Sequence, residues 1–133
     1  MEPVKIISAV FIRDNQILLL KRTKERKSYP GKWNAISGVI EEGESPRDCL
    51  DREIGEEIKI KDYEIIREGS PYDDIQKDGV WHVYPYLCRI VRGEIQMDKR
   101  EHERYEWVPI SDLNNYDLVP GLKTDLKILG VQT

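Results

Sequence analysis

Apolar positions cluster near the start of this chain in two blocks that predict a pair of strands. Residues 4–13 and 16–22 are rich in isoleucine, valine and leucine, a composition typical of buried strands. Asp14 and Asn15 separate the blocks, and both residue types favour tight turns. We therefore expect a β-hairpin over residues 4–22.

The next strong pattern has helical spacing and begins at Ser45-Pro46. Serine is a favoured N-cap, and proline is tolerated at the first helical position. Leu50, Ile54 and Ile58 recur every four residues and predict an apolar stripe facing the core. Gly55 lies inside this helix and costs about 1 kcal/mol relative to alanine.

The remaining pattern predicts strands, loops and a second helix. The expected elements are a loop over 23–32, a short strand over 33–37, a strand over 62–69, a polar loop over 70–79, an aromatic strand over 80–91, a short strand over 94–98, a charged loop over 98–104, a strand over 105–109, a short helix over 110–115 and a C-terminal helix over 119–130. Pro85 lies inside the aromatic strand and suggests a sheet edge or a bulge.

The order of strands, helix, strands and helix predicts an α/β fold. By strand order it is α+β, or a mixed-sheet α/β/α sandwich. A length of 133 residues fits one domain over residues 1–133.

Composition limits the function classes. The chain is 39% hydrophobic and 35% charged, which favours a soluble globular protein. No apolar run approaches the ~20 residues that span a bilayer, so no membrane partner is expected. The start of the chain lacks a signal-peptide pattern, and Cys49 and Cys88 lie far apart, so we expect a cytoplasmic protein. A net charge of −4 gives no reason to expect a nucleic-acid polymer as partner.

Three carboxylates share one side of the predicted helix. Glu53, Glu56 and Glu57 are three and four residues apart and project together, although like charges repel. A divalent cation between them would offset this repulsion. Oxygen ligands suit Mg²⁺, Mn²⁺ or Ca²⁺ better than zinc or copper. The alternative is a solvated acidic face without a ligand.

The spacing around these carboxylates resembles the signature of the Nudix hydrolase family. That signature is a glycine, five free positions, a glutamate, seven free positions, and then Arg-Glu-aliphatic-any-Glu-Glu-any-Gly-aliphatic. The matching positions are Gly38, Glu44, Arg52, Glu53, Ile54, Glu56, Glu57 and Ile60. Lys59 departs from the pattern because it occupies the last glycine position, where a glycine often ends the helix. The segment from Trp33 to Gly38 also resembles the family.

The resemblance implies a MutT-like Nudix α/β/α sandwich that hydrolyses a nucleoside diphosphate linked to another group, with Mg²⁺ or Mn²⁺ as cofactor. Glu53, Glu56 and Glu57 are the expected ligands, and the Gly38 carbonyl is a further ligand that the resemblance implies. We expect Arg52 to orient the glutamates through ion pairs, and Glu44 to support the helix residues.

A second acidic segment follows the last long strand. In similar proteins a later glutamate reaches the metals as a ligand or a general base, and Glu101 is the first candidate here, with Glu103 second. A solvent-exposed charged loop is the alternative for both. His82 and His102 lack metal-binding spacing and are expected to be structural or on the surface.

Three residues are candidates for substrate binding. Arg22 ends a predicted strand beside a basic loop, and arginine suits bidentate phosphate contacts. Tyr72 and Trp81 flank the polar loop and could stack on a base.

The expected function is metal-dependent hydrolysis of a diphosphate linkage in a nucleotide, with nucleoside triphosphates and related nucleotides as open candidates. The alternative is a catalytically inactive Nudix-fold module that binds or senses nucleotides. Gln76 stands where ADP-ribose members carry a proline. Dimers are common among similar proteins, so a homodimer also stays open.

Overall fold

The computed structural model describes residues 2–132. The elements in chain order are β1 (Val4–Arg13), β2 (Gln16–Arg22), β3 (Trp33–Asn34), β4 (Ile36–Val39), α1 (Pro46–Ile58), β5 (Asp62–Glu68), β6 (Tyr72–Gln76), β7 (Gly79–Arg92), β8 (His102–Pro109), a 3-10 helix (Ile110–Asn115) and α2 (Leu122–Ile128). The expected domain, 1–133, includes Met1 and Thr133, which lie outside the described residues.

Strand β1 lies at the centre of a mixed sheet. It pairs parallel with β7 and antiparallel with β2 and β4. Strands β5 and β6 pair with β7, whereas β3 and β8 pair with β2. The expected hairpin forms because Asp14 and Asn15 adopt positive φ angles of 49° and 60°, a backbone conformation that these residue types tolerate.

The two α-helices pack on opposite faces of this sheet, because successive side chains of β1 point to opposite faces. Ile7, Ala9 and Phe11 belong to the core cluster that includes Leu50 and Ile54 of α1. Val10 belongs to a second cluster, with Leu122, Leu126 and Leu129 of the C-terminal segment. This arrangement confirms the mixed α/β fold with a central sheet between helices.

Several expected boundaries were wrong. The polar loop over 70–79 contains strand β6, whose alternating exposed and half-buried residues lie along β7. Residues 94–98, which the structure describes, do not form the expected strand. Strand β8 begins at His102, inside the expected charged loop, and α2 is shorter than the expected helix over 119–130.

Pro85 lies in a central strand, so the expectation of a sheet edge was wrong. Strand β7 has β1 on one side and β5 and β6 on the other. The Pro85 carbonyl accepts a hydrogen bond from the Gly69 amide in the gap between β5 and β6. Proline has no backbone N–H to donate on this side, and none is needed because the ladder of hydrogen bonds is interrupted at this gap.

Helix α1 begins as its sequence predicts. The Ser45 hydroxyl accepts a hydrogen bond from the Asp48 amide, and the Asp48 carboxylate accepts one from the Ser45 amide, which together form a capping box. At the other end Lys59 itself adopts the left-handed conformation, with φ 60° and ψ 32°. The lysine therefore ends the helix in the conformation that glycine favours.

Candidate functional site

Arg52 on helix α1 connects several of the carboxylates that the sequence singled out. Its Nε and Nη2 donate to the two oxygens of Glu44 at 2.8 and 2.9 Å. Its Nη1 donates to Glu53 at 2.8 Å and to Glu56 at 3.4 Å. The hydrogen bond from Arg52 is the main reason that the pKa of Glu44 falls to about 2.

The start of the signature is held against this helix. Arg52 Nη2 also donates to the Val39 carbonyl at 3.0 Å, which links α1 to strand β4. A Cβ atom at Gly38 would overlap the Glu53 carboxyl group. Glycine is therefore required at this position because the Glu53 side chain packs directly on its backbone.

Glu57 is the most deeply buried of the helix carboxylates, with 4% of its surface exposed. Burial raises the pKa of the Glu57 carboxyl, and the neighbouring Glu53 charge raises it further. Burial also raises the pKa of Glu53, and the neighbouring Arg52 charge opposes this rise. Glu57 is costly to hold as an anion unless a cation lies beside it, whereas Glu53 already accepts a hydrogen bond from Arg52.

Glu101 and His102 complete the cluster around Glu57. One potential ligand atom from each of the three residues lies within 4.8 Å of the others, and His102 Nε2 is 3.5 Å from Glu57 Oε1. Among the described residues, Glu57 Oε2 and His102 Nδ1 are buried without a hydrogen-bond partner. Burial lowers the pKa of His102 to about 4, so the imidazole is neutral at physiological pH.

This donor set fits a divalent cation. An unpartnered buried carboxylate oxygen is energetically costly, and a cation would satisfy it. Two of the expected ligands, Glu57 and Glu101, lie together, and a third, Glu53, neighbours Glu57 and packs on Gly38. Glu56 lies at the outer rim, with 58% of its side chain exposed, where it pairs with Arg52.

The structure distinguishes the two candidate glutamates, Glu101 and Glu103. Glu101 reaches the cluster, whereas Glu103 pairs with Lys21 at 3.7 Å. His82 bonds Asp73 at the surface, in agreement with its expected role. His102 lies at the cluster itself. It reaches this position because it pairs with Arg22 where β8 lies along β2, and no local sequence pattern predicts such a pairing.

Arg22 lies between the carboxylate cluster and a cavity of about 250 Å³. Its guanidinium donates to the carbonyl and hydroxyl of Ser28 at 2.9 and 2.7 Å and thereby holds the loop over 23–32. Burial lowers the pKa of Arg22. Arg26 of the same loop lies 3.7 Å from the Glu101 carboxylate, which brings a second guanidinium to the cluster.

The cavity lies between the sheet and the segment that leads into α2. Tyr72 and Trp81, the aromatic candidates, both line it, as do Arg22 and Gly38. Asp125 of α2, which was not among the predicted site residues, also lines it. A signal was present, because Asp125 interrupts the apolar stripe formed by the buried leucines of the C-terminal helix.

Asp125 is hydrogen-bonded within the cavity wall. Its Oδ2 accepts a hydrogen bond from the Ser8 hydroxyl at 2.8 Å, and its Oδ1 accepts one from the Tyr72 hydroxyl at 2.6 Å. Burial raises the pKa of Asp125 to about 6. The carboxylate is therefore ionised near neutral pH and acts as an acceptor for both hydroxyls.

Comparison with known proteins places these features in a family. Residues 3–126 match the family model described as NUDIX domain. The nucleoside triphosphatase NudI of Escherichia coli O17:K52:H18 is 28% identical over 138 residues, which cover 95% of this chain and 96% of the relative. A protein of the same name from Shigella flexneri has the same identity and coverage.

Solved structures agree with this match. The MutT NUDIX hydrolase of Burkholderia pseudomallei has a TM-score of 0.82 at 25% identity, covering 97% of this chain and 99% of that one. The Ap4A hydrolase of C. elegans has a TM-score of 0.77 at 20% identity, covering 96% and 95%, and shares the fold. No helix among residues 2–132 is long and apolar enough to cross a membrane.

Proposed function

The chain belongs to the NUDIX family and is a hydrolase, and on this premise we propose that it is a metal-dependent pyrophosphohydrolase of nucleoside triphosphates. The observation that carries the proposal is the buried, unpartnered oxygen of Glu57 beside Glu101 and Glu53, next to a cavity lined by arginine. The nucleoside triphosphatase NudI, similar over nearly the whole chain, supports the substrate class.

The proposed cofactor is Mg²⁺ or Mn²⁺. Glu53, Glu57 and Glu101 would hold it, with Glu56 and the Gly38 carbonyl as further ligands. When bound, such a cation acts as a Lewis acid on phosphoryl oxygens and lowers the pKa of bound water. Carboxylate oxygens are the ligands that both ions prefer.

The other residues at the site position these groups. Arg52 fixes Glu53 through one hydrogen bond and Glu44 through two, so the carboxylates keep one arrangement. We assign to Glu53 the proton that the attacking water loses, because Arg52 and the Gly38 backbone together hold this carboxylate in one position. A positioned carboxylate in this role contributes roughly 10²- to 10⁴-fold to the rate.

The substrate would extend from the cluster into the cavity. Arg22 and Arg26 lie between the two and suit the triphosphate because both carry a positive charge. Arg22 would use its Nη1, since its Nε and Nη2 donate to Ser28. Tyr72 and Trp81 line the cavity where the nucleoside would lie.

We assign the activity to a reducing cytosol, because Cys49 and Cys88 are both free thiols.

The proposal is tested by measuring nucleoside monophosphate and pyrophosphate release from a panel of nucleoside triphosphates. The wild-type protein should release both with Mg²⁺ or Mn²⁺ and neither with excess chelator. Glu53→Gln should lower the rate roughly 10²- to 10⁴-fold. Asp51→Asn removes a charge from the same helix, where Asp51 contacts Tyr63 outside the site, and should retain the wild-type rate.

Two outcomes would contradict the proposal. Equal rates for the wild-type protein and Glu53→Gln would exclude the role of Glu53. Nucleotide binding without product release under any metal condition would indicate the alternative, a binding module.

A further inference from the structure

The cavity beside the carboxylate cluster has walls of opposite hydrogen-bonding character. Its donors lie on the side of the loop over 23–32, with Arg22 and Arg26. Gln76 also belongs to that side, because its Oε1 accepts a hydrogen bond from the Tyr29 hydroxyl at 2.8 Å and its amide NH₂ is the remaining polar group. The wall towards α2 is different.

Asp125 determines the character of the α2 wall. The hydroxyls of Ser8 and Tyr72 each carry one proton, and both donate it to this carboxylate. Once those protons are engaged, the two hydroxyl oxygens can only accept hydrogen bonds from a ligand. Asp125 is 5% exposed, so it acts on a ligand mainly through these two neighbours.

Asp74 adds a further acceptor to the same wall. Its Oδ2 would lie 3.1 Å from a Cβ atom at Gly121, so the glycine leaves room for the carboxylate at this position. Gly121 has φ 100°, which glycine adopts readily. The Gly121 carbonyl lies 3.4 Å from the Tyr72 hydroxyl and is also an acceptor.

We propose that the acceptor wall, formed by Ser8, Tyr72, Asp74 and Asp125, binds the exocyclic amino group of a nucleobase. The preferred substrates are then triphosphates of amino-bearing bases. This inference rests on the proposed function for the identity of the ligand as a nucleotide, and it adds the feature of the base that is recognised.

The size and chemistry of the cavity support this assignment. A volume of about 250 Å³ is just below the ~300–1,000 Å³ range of drug-sized ligand sites, so it fits one nucleoside rather than two. A carbonyl oxygen facing the acceptor wall would leave acceptors on both sides unpaired. An amino group offers two donors and satisfies them.

Binding measurements test the inference independently of hydrolysis. The probes are two pairs of nucleoside monophosphates, GMP with IMP and CMP with UMP, titrated calorimetrically in the presence of Mg²⁺. GMP and IMP differ only in the 2-amino group. In at least one pair the amino-bearing member should bind roughly 10- to 100-fold more tightly, the effect of one or two unpaired acceptors.

Three variants locate the effect. Asp74→Asn and Asp125→Asn each introduce an amide donor and should reduce the preference at least fivefold. Asp73→Asn is the matched control, because Asp73 is an exposed neighbour on β6 that bonds His82 outside the cavity. It should keep the wild-type preference, and thermal unfolding of all three variants checks that they fold.

The outcomes separate this inference from the proposed function. Equal affinities within both pairs, no measurable binding of any of the four probes, or an unchanged preference in both Asp74→Asn and Asp125→Asn would overturn the acceptor wall. Hydrolysis of triphosphates without base preference would leave the proposed function intact. A base preference without hydrolysis would support the wall and contradict the proposed function.

Discussion

At the scale of single residues, Arg52 keeps the carboxylates of α1 and the preceding loop in one arrangement. It donates to Glu44, Glu53 and Glu56 and to the Val39 carbonyl. Its side chain is 25% exposed, so solvent screens these contacts only in part. The planar guanidinium of arginine can donate to several acceptors at once, whereas the ammonium of lysine is a single point charge and cannot hold the same arrangement.

Arg52→Lys should therefore weaken metal binding. We expect a loss of roughly 10- to 100-fold in Mn²⁺ affinity, the effect of removing a partner that orients ligands. Calorimetric titration with Mn²⁺ measures it. Arg47→Lys is the matched control on the same helix, because Arg47 is 58% exposed and pairs with Glu68 away from the cluster. Equal affinities for the two variants would exclude a positioning role for Arg52.

Two glycines of the signature region should respond oppositely to alanine. At Gly38 a Cβ atom would overlap Glu53, so Gly38→Ala should destabilise the protein by about 1–3 kcal/mol. At Gly55, inside α1, a Cβ atom meets nothing within 4 Å, so Gly55→Ala should stabilise it by about 0.4–1 kcal/mol. Urea unfolding measures both, and a stable Gly38→Ala protein would argue against the close contact.

At the scale of elements, α1 carries the site because both of its ends are specified locally. The capping box at Ser45 sets the first turn, and the apolar stripe turns Leu50, Ile54 and Ile58 into the core. The acidic side then packs on Gly38 of β4 and lies near His102 of β8. The C-terminal end differs from the family signature, since Lys59 adopts a left-handed conformation that disfavours residues with a Cβ atom.

Lys59→Gly should relieve this strain. The free energy of unfolding should rise by about 0.5–1 kcal/mol, the penalty for a non-glycine residue at such a cap. The Lys59 ammonium donates to the Glu56 carbonyl at 3.0 Å, and the loss of this exposed contact offsets part of the gain. Lys61→Gly is the control, because Lys61 has no positive φ. If both changes destabilise the protein equally, the strain at Lys59 is absent.

At the scale of the whole molecule, the two faces of the sheet pack different helices and contribute to different parts of the candidate site. One face packs α1 and its carboxylates, whereas the other packs α2 and places Asp125 in the cavity wall. A buried carboxylate of this kind couples the stability of the fold to pH. The charged and titratable groups around it are Tyr72 and Asp74 of β6, with the Ser8 hydroxyl of β1 as its third polar neighbour.

The sign of this coupling follows from the raised pKa. Folding moves the pKa of Asp125 from 3.8 to about 6, so the folded state binds the proton more tightly. Its contribution to stability is present below pH 3.8 and is lost as the pH rises through 6. Relative to Asp125→Asn, the wild-type protein should lose about 2–3 kcal/mol between pH 4 and pH 7. Urea unfolding at several pH values measures this difference, and a constant difference would contradict it.

Local patterns in the sequence were sufficient for the hairpin, for α1 and for the acidic side of that helix. Helical periodicity places Glu53, Glu56 and Glu57 on one side whatever the rest of the chain does. The same periodicity predicts which residues of α1 face the core, and Leu50, Ile54 and Ile58 are completely buried. Strand β6 was not predicted because most of its residues are polar. Its pairing with β7, rather than its composition, makes it a strand.

The sequence by itself determined the family, the acidic helix and its glycine, because those features depend on spacing within residues 38–60. Only the tertiary structure decided which distant groups join them. His102 reaches Glu57 through the pairing of β8 with β2, and Ser8 bonds Asp125 across 117 positions of the chain. Such contacts arise from packing between elements, and no local periodicity encodes them.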